Sequence, residues 1–179
     1  MITTVTDPII GFLDESSLQQ HPNTRRVLNT HMINYKPGKV RSRTIFGFIA
    51  LNGNDEVMVS NSSKKEALMD FAQRIRNNNN NNNNMRPICI LLDNARIHLA
   101  KKFRKLTEEI DIHLIYNIPY APDLNPIEFG WKDFKREIPK YTNFDEAIIA
   151  SQDCALEIFY SKKDGYSKSW VKQFLSAKS

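Results

Sequence analysis

The stretch that most constrains the fold is Pro87–Leu92, the most apolar run of the chain. Its length and continuous hydrophobicity are typical of a central strand that is covered on both faces. An apolar helical pattern follows it, and a second short apolar run, Ile112–Tyr116, comes next. A strand, a helix and a strand within about thirty residues predict a right-handed parallel crossover, whose carboxyl-end loops are where open α/β sheets bind ligands.

Three earlier segments have the pattern of neighbouring antiparallel strands. Ile9–Leu13 is a short apolar run that ends in polar residues, and Thr44–Ala50 is rich in strand-forming residues. Asn52-Gly53 predicts a hairpin turn, after which Glu56–Val59 returns. With the parallel unit, this meander predicts an α/β fold with a mixed five-stranded sheet flanked by helices.

Length and composition predict one ordinary domain over residues 1–179. Asn77–Asn84 is a run of eight asparagines, predicted to be a disordered loop because it cannot build a core. Residues 160–179 are predicted to form a basic C-terminal tail, with a helix at about residues 167–175. Cys89 and Cys154 match no metal-binding spacing, so we expect reduced thiols.

The net charge of +5 and the pI near 9.2 are compatible with an anionic partner such as nucleic acid, without requiring one. The first residues lack the pattern of a signal peptide, and no apolar run is long enough to span a membrane. We therefore expect no membrane association, and a cytoplasmic, nucleoid-associated protein in a prokaryote or a nuclear one in a eukaryote.

A rigid loop and a helix start are predicted within Pro119–Lys135, where three prolines restrict the backbone. Asn125 is expected to cap the helix, with Pro126 at its first position. Glu128 then lies in the first helical turn, and two interpretations of it are open. It either completes a capping box with Asn125 and an ion pair with Lys132, or serves as a catalytic carboxylate. The buried stripe of this helix is predicted to be Ile127, Trp131, Phe134 and Ile138.

Three acids are expected to converge at one edge of the sheet. Asp14 follows the first strand, Asp93 follows the central strand, and Glu128 follows the proline-rich loop. By strand alternation Asp14 shares a face with Phe12, while Glu15 points to the other face. Asp14 has an alternative interpretation as a simple turn residue. Three carboxylates suit Mg²⁺ or Mn²⁺, and two such ions about 4 Å apart promote in-line displacement at phosphorus, as in nucleases and polynucleotide transferases.

Three motifs carry a resemblance to a known family: FLDESS at Phe12–Ser17, ILLDNARIH at Ile90–His98 and PYAPDLNPIEFGWKDFKR at Pro119–Arg136. Together they resemble the catalytic domain of mariner-like DDE transposases, which include bacterial and archaeal insertion-sequence transposases. The resemblance extends from Ile9 to about Lys140. It implies a ribonuclease-H-like fold and an Asp, Asp, Glu metal triad. By motif, that triad falls on Asp14, Asp93 and Glu128, and the 34 residues between the last two match the mariner-like spacing.

The resemblance also implies an activity and partners. The expected reaction is metal-dependent DNA cleavage followed by strand transfer at insertion-sequence ends, with two Mg²⁺ or Mn²⁺ ions and a homodimer or larger synaptic complex. Family members carry helix-turn-helix modules before the first aspartate, whereas about thirteen residues precede Asp14 here. We therefore expect no such domain in this chain, and a separately encoded helix-turn-helix subunit is one way to supply it.

Six further residues are predicted to contact DNA because they lie near the three acids in the sequence: Asn94, Arg96, His98, Lys132, Lys135 and Arg136. Capping or packing is an equally open interpretation of Asn94 and His98, and a solvated helix face explains the basic residues. Two other functions also stay open. The chain is then either a truncated or repurposed transposase fragment that binds DNA without catalysis, or a standalone ribonuclease-H-like nuclease.

Overall fold

The computed structural model describes residues 7–20, 41–80, 85–117, 125–138, 141 and 143–176. The strands within these residues are β1 (Ile9–Gln19), β2 (Ser42–Ala50), β3 (Glu56–Ser60), β4 (Ile88–Leu92) and β5 (Ile112–Tyr116). The helices are α1 (Lys65–Asn78), α2 (Lys101–Glu109), α3 (Ile127–Glu137) and α4 (Phe144–Ser176).

The five strands form one mixed sheet in the order β3-β2-β1-β4-β5. β1, β2 and β3 pair antiparallel, as the predicted meander requires. β4 pairs parallel with β1 on one side and with β5 on the other, so the most apolar strand has a partner on each edge. The predicted mixed five-stranded sheet is confirmed.

Alternate residues of the strands face two separate hydrophobic cores. Leu13 and Phe46 belong to the core that is completed by α1 and α2, whereas Phe12 and Ile45 belong to the core that is completed by α3 and α4. This period of two follows from strand geometry, because successive side chains point to opposite faces. Asp14 therefore lies on the face of the sheet that α3 covers, and Glu15 lies on the other.

β1 is longer than predicted. The prediction ended it at Leu13, but the strand continues through the polar residues to Gln19. β2 pairs with every β1 residue from Gly11 to Gln19, which satisfies the backbone groups of this polar half. Asp14 is thus held within a strand and is not a turn residue.

α3 begins one residue later than predicted. Ile127 is its first residue, and Pro126 is the capping residue. The side chain of Asn125 forms no capping hydrogen bond, and its buried Oδ1 atom has no partner in the part of the chain that the structure describes. The stripe predicted to face the core is confirmed, since all four of its residues are buried: Ile127, Trp131, Phe134 and Ile138. Residues 118–124 of the proline-rich loop lie outside the described residues.

The C-terminal region and the asparagine tract differ from the prediction. α4 is one helix of 33 residues, so residues 160–176 continue it and do not form a separate tail. Asn77 and Asn78 belong to α1, and Asn79 is buried because its side chain bonds the β2–β3 turn at Asn54, to both N and O. The predicted disordered loop is therefore wrong for residues 77–80, while residues 81–84 are not among those described.

Candidate active site

Asp14 lies where β1 extends past the end of β4. Phe12 and Leu91 form the last pair between the two strands, and β4 ends one residue later. Continuing this register by two residues places Asp93 level with Asp14 along the two strands, although Asp93 itself lies beyond the end of β4. On its other side Asp14 remains paired with Gly47 of β2.

The electrostatics of Asp14 reflect the charges of the other acids. Burial is the largest cause that raises the pKa of Asp14 from 3.8 to about 7, and the negative charge of Glu128 is the next. The charges of Glu15 and Asp93 act in the same direction, whereas a hydrogen bond from the Glu15 backbone N–H opposes them. No cationic side chain of the described residues contributes to this pKa. The site therefore concentrates negative charge that a bound cation would offset.

Glu128 is exposed in the first turn of α3, where its backbone N–H donates to the Asn125 carbonyl at 3.1 Å. Neither the capping box with Asn125 nor the ion pair with Lys132 is present, although all three residues are described. The structural interpretation of Glu128 therefore lacks these two contacts, although an acid in the first turn still suits the helix dipole. The charge of Glu128 also acts on Asp14.

The donor set suits a hard divalent cation. Asp14, Asp93 and Glu128 offer carboxylate oxygens only, which Mg²⁺ and Mn²⁺ prefer. Over the described ranges, however, no three His, Cys, Asp or Glu side chains form a group that could hold a metal ion. The chemistry of the donors fits the metal, and the carboxylates must draw closer together to share one.

His98 links the two sides of this site. Its side chain is fully buried on the loop between β4 and α2. Nδ1 lies 2.7 Å from Oδ1 of Asp93, and Nε2 lies 2.9 Å from Oε1 of Glu15. Burial of the imidazole lowers its pKa, but the hydrogen bond to Glu15 and the charges of Glu15 and Asp93 outweigh burial, so the pKa of His98 is raised.

This placement corrects one predicted DNA contact. A fully buried imidazole with both ring nitrogens engaged cannot reach DNA in this conformation, so the predicted role of His98 is wrong. Asn94 is exposed, but its Nδ2 atom donates to the Asn117 carbonyl at 2.7 Å, which ties the loop after β4 to the end of β5. Arg96 is exposed beside Lys64, so a contact with DNA by Arg96 fits its position.

The three predicted contacts on α3 are all exposed. Lys132 and Lys135 lie on the polar side of the helix, and Arg136 lies 3.4 Å from Asp133, with which it forms an ion pair. Glu128 begins the same helix, so these cations share an element with a proposed catalytic acid. Their exposure is compatible with phosphate contacts and with a solvated face alike.

Sequence reasoning missed Glu15 as a residue of this site. Alternation places it correctly on the opposite face from Asp14. Its contact with His98 spans 83 positions of sequence, and no local pattern predicts it. Tyr116 was also missed: its hydroxyl donates to the His98 carbonyl at 2.9 Å.

Solved structures that are similar to this chain in fold include two with TM-scores above 0.5. One is a chain of the simian T-cell lymphotropic virus intasome, with a TM-score of 0.55, 15% identity and coverage of 86% of this chain. This chain spans only 47% of that intasome chain. The other is the Mos1 transposase catalytic domain, solved with raltegravir and Mg, with a TM-score of 0.52, 12% identity and coverage of 91% of this chain and 82% of that one. The predicted ribonuclease-H-like fold is thereby confirmed.

A comparison with curated proteins found no match. No described helix is long and apolar enough to cross a membrane. The sequence pattern of the DDE superfamily endonucleases matches residues 10–148, which include all three acids. This match confirms the predicted resemblance and the predicted enzyme class. Because the matched range covers well over half of its residues, the chain belongs to the DDE superfamily endonuclease family.

Proposed function

We propose that this domain cleaves DNA at the ends of an insertion sequence and then joins the freed 3′-hydroxyl to target DNA. Asp14, Asp93 and Glu128 are the proposed catalytic acids. One observation carries the proposal. The negative charges of Glu128 and Asp93 act on the partly buried carboxyl group of Asp14, and no cationic side chain of the described residues compensates them. Such uncompensated charge is typical of a site that binds metal ions.

The proposed cofactor is a pair of Mg²⁺ or Mn²⁺ ions held by the three acids. When bound, such ions activate the attacking oxygen and stabilise the leaving oxygen at phosphorus. Family membership and the oxygen-only donor set support this assignment. The same site would serve hydrolysis first and transesterification second, because both are in-line displacements at a phosphodiester.

The protein's own contribution is to hold the carboxylates in place. Asp14 is fixed by strand pairing with β2 in the middle of the sheet. Glu128 is fixed through α3, whose Trp131 and Phe134 side chains are buried against the sheet and α4. Rigid elements keep a site preorganised better than loops do.

The proposed partners are DNA and a second copy of the chain. Lys132, Lys135 and Arg96 are proposed to contact phosphates, because they are exposed cations on the two elements that carry Glu128 and Asp93. Recognition of the element's ends is proposed to require a helix-turn-helix module.

The proposal is tested most cleanly at Glu128, since its side chain has no hydrogen-bond partner within the described part of the chain. Glu128→Gln should leave the fold intact and abolish Mg²⁺-dependent nicking of DNA that carries the element's ends. The matched control is Glu66→Gln, because Glu66 is an exposed acid in the first turn of α1. Cleavage is measured on labelled substrates with Mg²⁺ and with EDTA.

The outcomes separate the three functions. Equal cleavage by wild type and Glu128→Gln would reject the assignment of Glu128. A standalone nuclease would be favoured if the protein cleaves RNA–DNA hybrids with metal but does not cleave DNA that carries the element's ends. DNA binding without any cleavage by the wild type would favour a repurposed, non-catalytic fragment.

A further inference from the structure

Both the imidazole ring and the backbone of His98 are held by contacts. Its ring is fully buried, and the ring of Phe103 lies 6.5 Å away between centroids. Its backbone is held as well, since the N–H donates to the Ala95 carbonyl at 2.9 Å and the carbonyl accepts from the Tyr116 hydroxyl at 2.9 Å. A side chain held in this way has one orientation, so the atoms that it contacts are positioned with it.

One of those contacts is with the exposed acid Asp93. Its side chain is 57% exposed, and Asp93 lies just beyond the end of β4, so the sheet does not fix it. Oδ1 accepts hydrogen bonds from His98 at 2.7 Å and from the Ala95 backbone N–H at 2.9 Å. Oδ2 has no partner among the described residues. The contacts to Oδ1 therefore leave the second oxygen of the carboxylate available.

The other contact of His98 is with Glu15, whose side chain is only 18% exposed. Glu15 follows Asp14 directly on β1 and points to the opposite face of the sheet. Two consecutive residues of β1 are thus connected to the site in different ways. Asp14 faces it directly, whereas Glu15 holds His98, which in turn holds Asp93.

We propose that His98 and Glu15 are positioning residues, which together hold the Asp93 carboxylate so that its second oxygen is presented to the metal. This inference rests on the proposed function, because it takes Asp93 to be a metal ligand. A ligand that is oriented in advance binds metal more tightly, and loss of such support commonly weakens metal affinity by about 10- to 100-fold.

Two variants of His98 separate positioning from packing. The amide of asparagine falls near the position of Nδ1 and can still donate to Asp93, whereas the amide of glutamine falls near Nε2 and can reach only Glu15. Both variants lose the ring, so the packing defect is similar. The control is His113→Gln. His113 is an exposed residue of β5 and lies 3.1 Å from Asp111, which precedes the strand.

The affinity for Mn²⁺ is measured by electron paramagnetic resonance on the full chain, and folding is verified by circular dichroism. His98→Gln should weaken Mn²⁺ binding by about 10- to 100-fold, and His98→Asn by less than about tenfold. Glu15→Ala should weaken it in the wild-type background and add little to His98→Gln, because both act through the same contacts. The control should bind Mn²⁺ as the wild type does.

Equal affinities of the two His98 variants would overturn the inference, as would unchanged affinity in both. Absence of Mn²⁺ binding by the wild type would overturn it as well. Cleavage assays on the same proteins keep the two proposals apart. If the wild type does not cleave DNA but the expected order of Mn²⁺ affinities holds, the proposed function fails and the positioning role stands. If the wild type cleaves DNA but the expected order of Mn²⁺ affinities is absent, the proposed function stands and the positioning role fails.

Discussion

Replacing Asp14 with asparagine should stabilise the metal-free domain, and more so at alkaline than at acid pH. The pKa of Asp14 is raised from 3.8 to about 7 by burial and then by the charge of Glu128. Between these two pH values the folded chain holds a proton that the unfolded chain has released. The stability of the fold therefore falls as the pH rises from about 4 to about 7, and stays lowered above that range.

The size of the effect follows from the two pKa values. A tenfold difference in proton affinity is worth about 1.36 kcal/mol. Relative to low pH, the titration of Asp14 therefore lowers the free energy of unfolding by roughly 4 kcal/mol at pH 8 and by roughly 1.5 kcal/mol at pH 5. Asp14→Asn should therefore stabilise the domain by roughly 2–3 kcal/mol more at pH 8 than at pH 5. For a domain of this size, that difference is roughly 4–12 °C in melting temperature.

Thermal unfolding in EDTA, followed by circular dichroism at both pH values, measures this difference. Taking the difference between two pH values removes any effect of the substitution that does not depend on pH. The control is Asp70→Asn, since Asp70 is exposed and pairs with Arg74 on α1, at 3.5 Å. If Asp14→Asn changes the melting temperature equally at pH 5 and pH 8, the electrostatic reasoning is refuted.

Three further outcomes are expected. Phe159→Ala should lower the free energy of unfolding by about 3–5 kcal/mol in urea titrations, because the ring of Phe159 is buried and packs against the Trp131 ring, with 5.3 Å between the centroids. Ile149→Ala, on the exposed side of α4, should change that free energy by less than about 0.5 kcal/mol. Asn79→Ala should lower the free energy of unfolding by about 1–3 kcal/mol, because the hydrogen bonds of its side chain are lost. The control is Asn77→Ala, since Asn77 is exposed, and an equally small loss of stability in both variants would contradict this expectation. Mg²⁺ at a hundredfold excess over its dissociation constant should stabilise the wild type by about 2.7 kcal/mol in thermal melts at pH 8, and an equal gain in the Glu128→Gln protein would count against the site.

Much of the fold could be predicted because its signals are local. The apolar run at β4 and the Asn52-Gly53 turn each predict their own element, and the crossover rule then sets the parallel pairing. The length of β1 could not be predicted in this way. Asp14 to Gln19 has the composition of a turn, and only pairing with β2, more than twenty residues further along the chain, makes it a strand.

The asparagine tract shows the same limit at α1. Asparagine favours turns and caps when only local hydrogen bonds are available. Asn78 and Asn79 nevertheless complete the end of the helix, because the β2–β3 turn supplies partners for both side chains. That turn lies some 25 residues earlier in the sequence, so the composition of the tract contains no sign of it.

By itself, the sequence determined the existence and order of the five strands, the alternation that places Asp14 and Glu15 on opposite faces, and the three acids that the family motifs single out. Only the tertiary structure decided that β4 pairs with β1, beside the strand that carries Asp14, and that His98 connects Asp93 to Glu15. The physical reason is the range of the interactions. Propensity and periodicity act between near neighbours in the chain, whereas strand register and buried hydrogen bonds depend on residues that folding alone brings together.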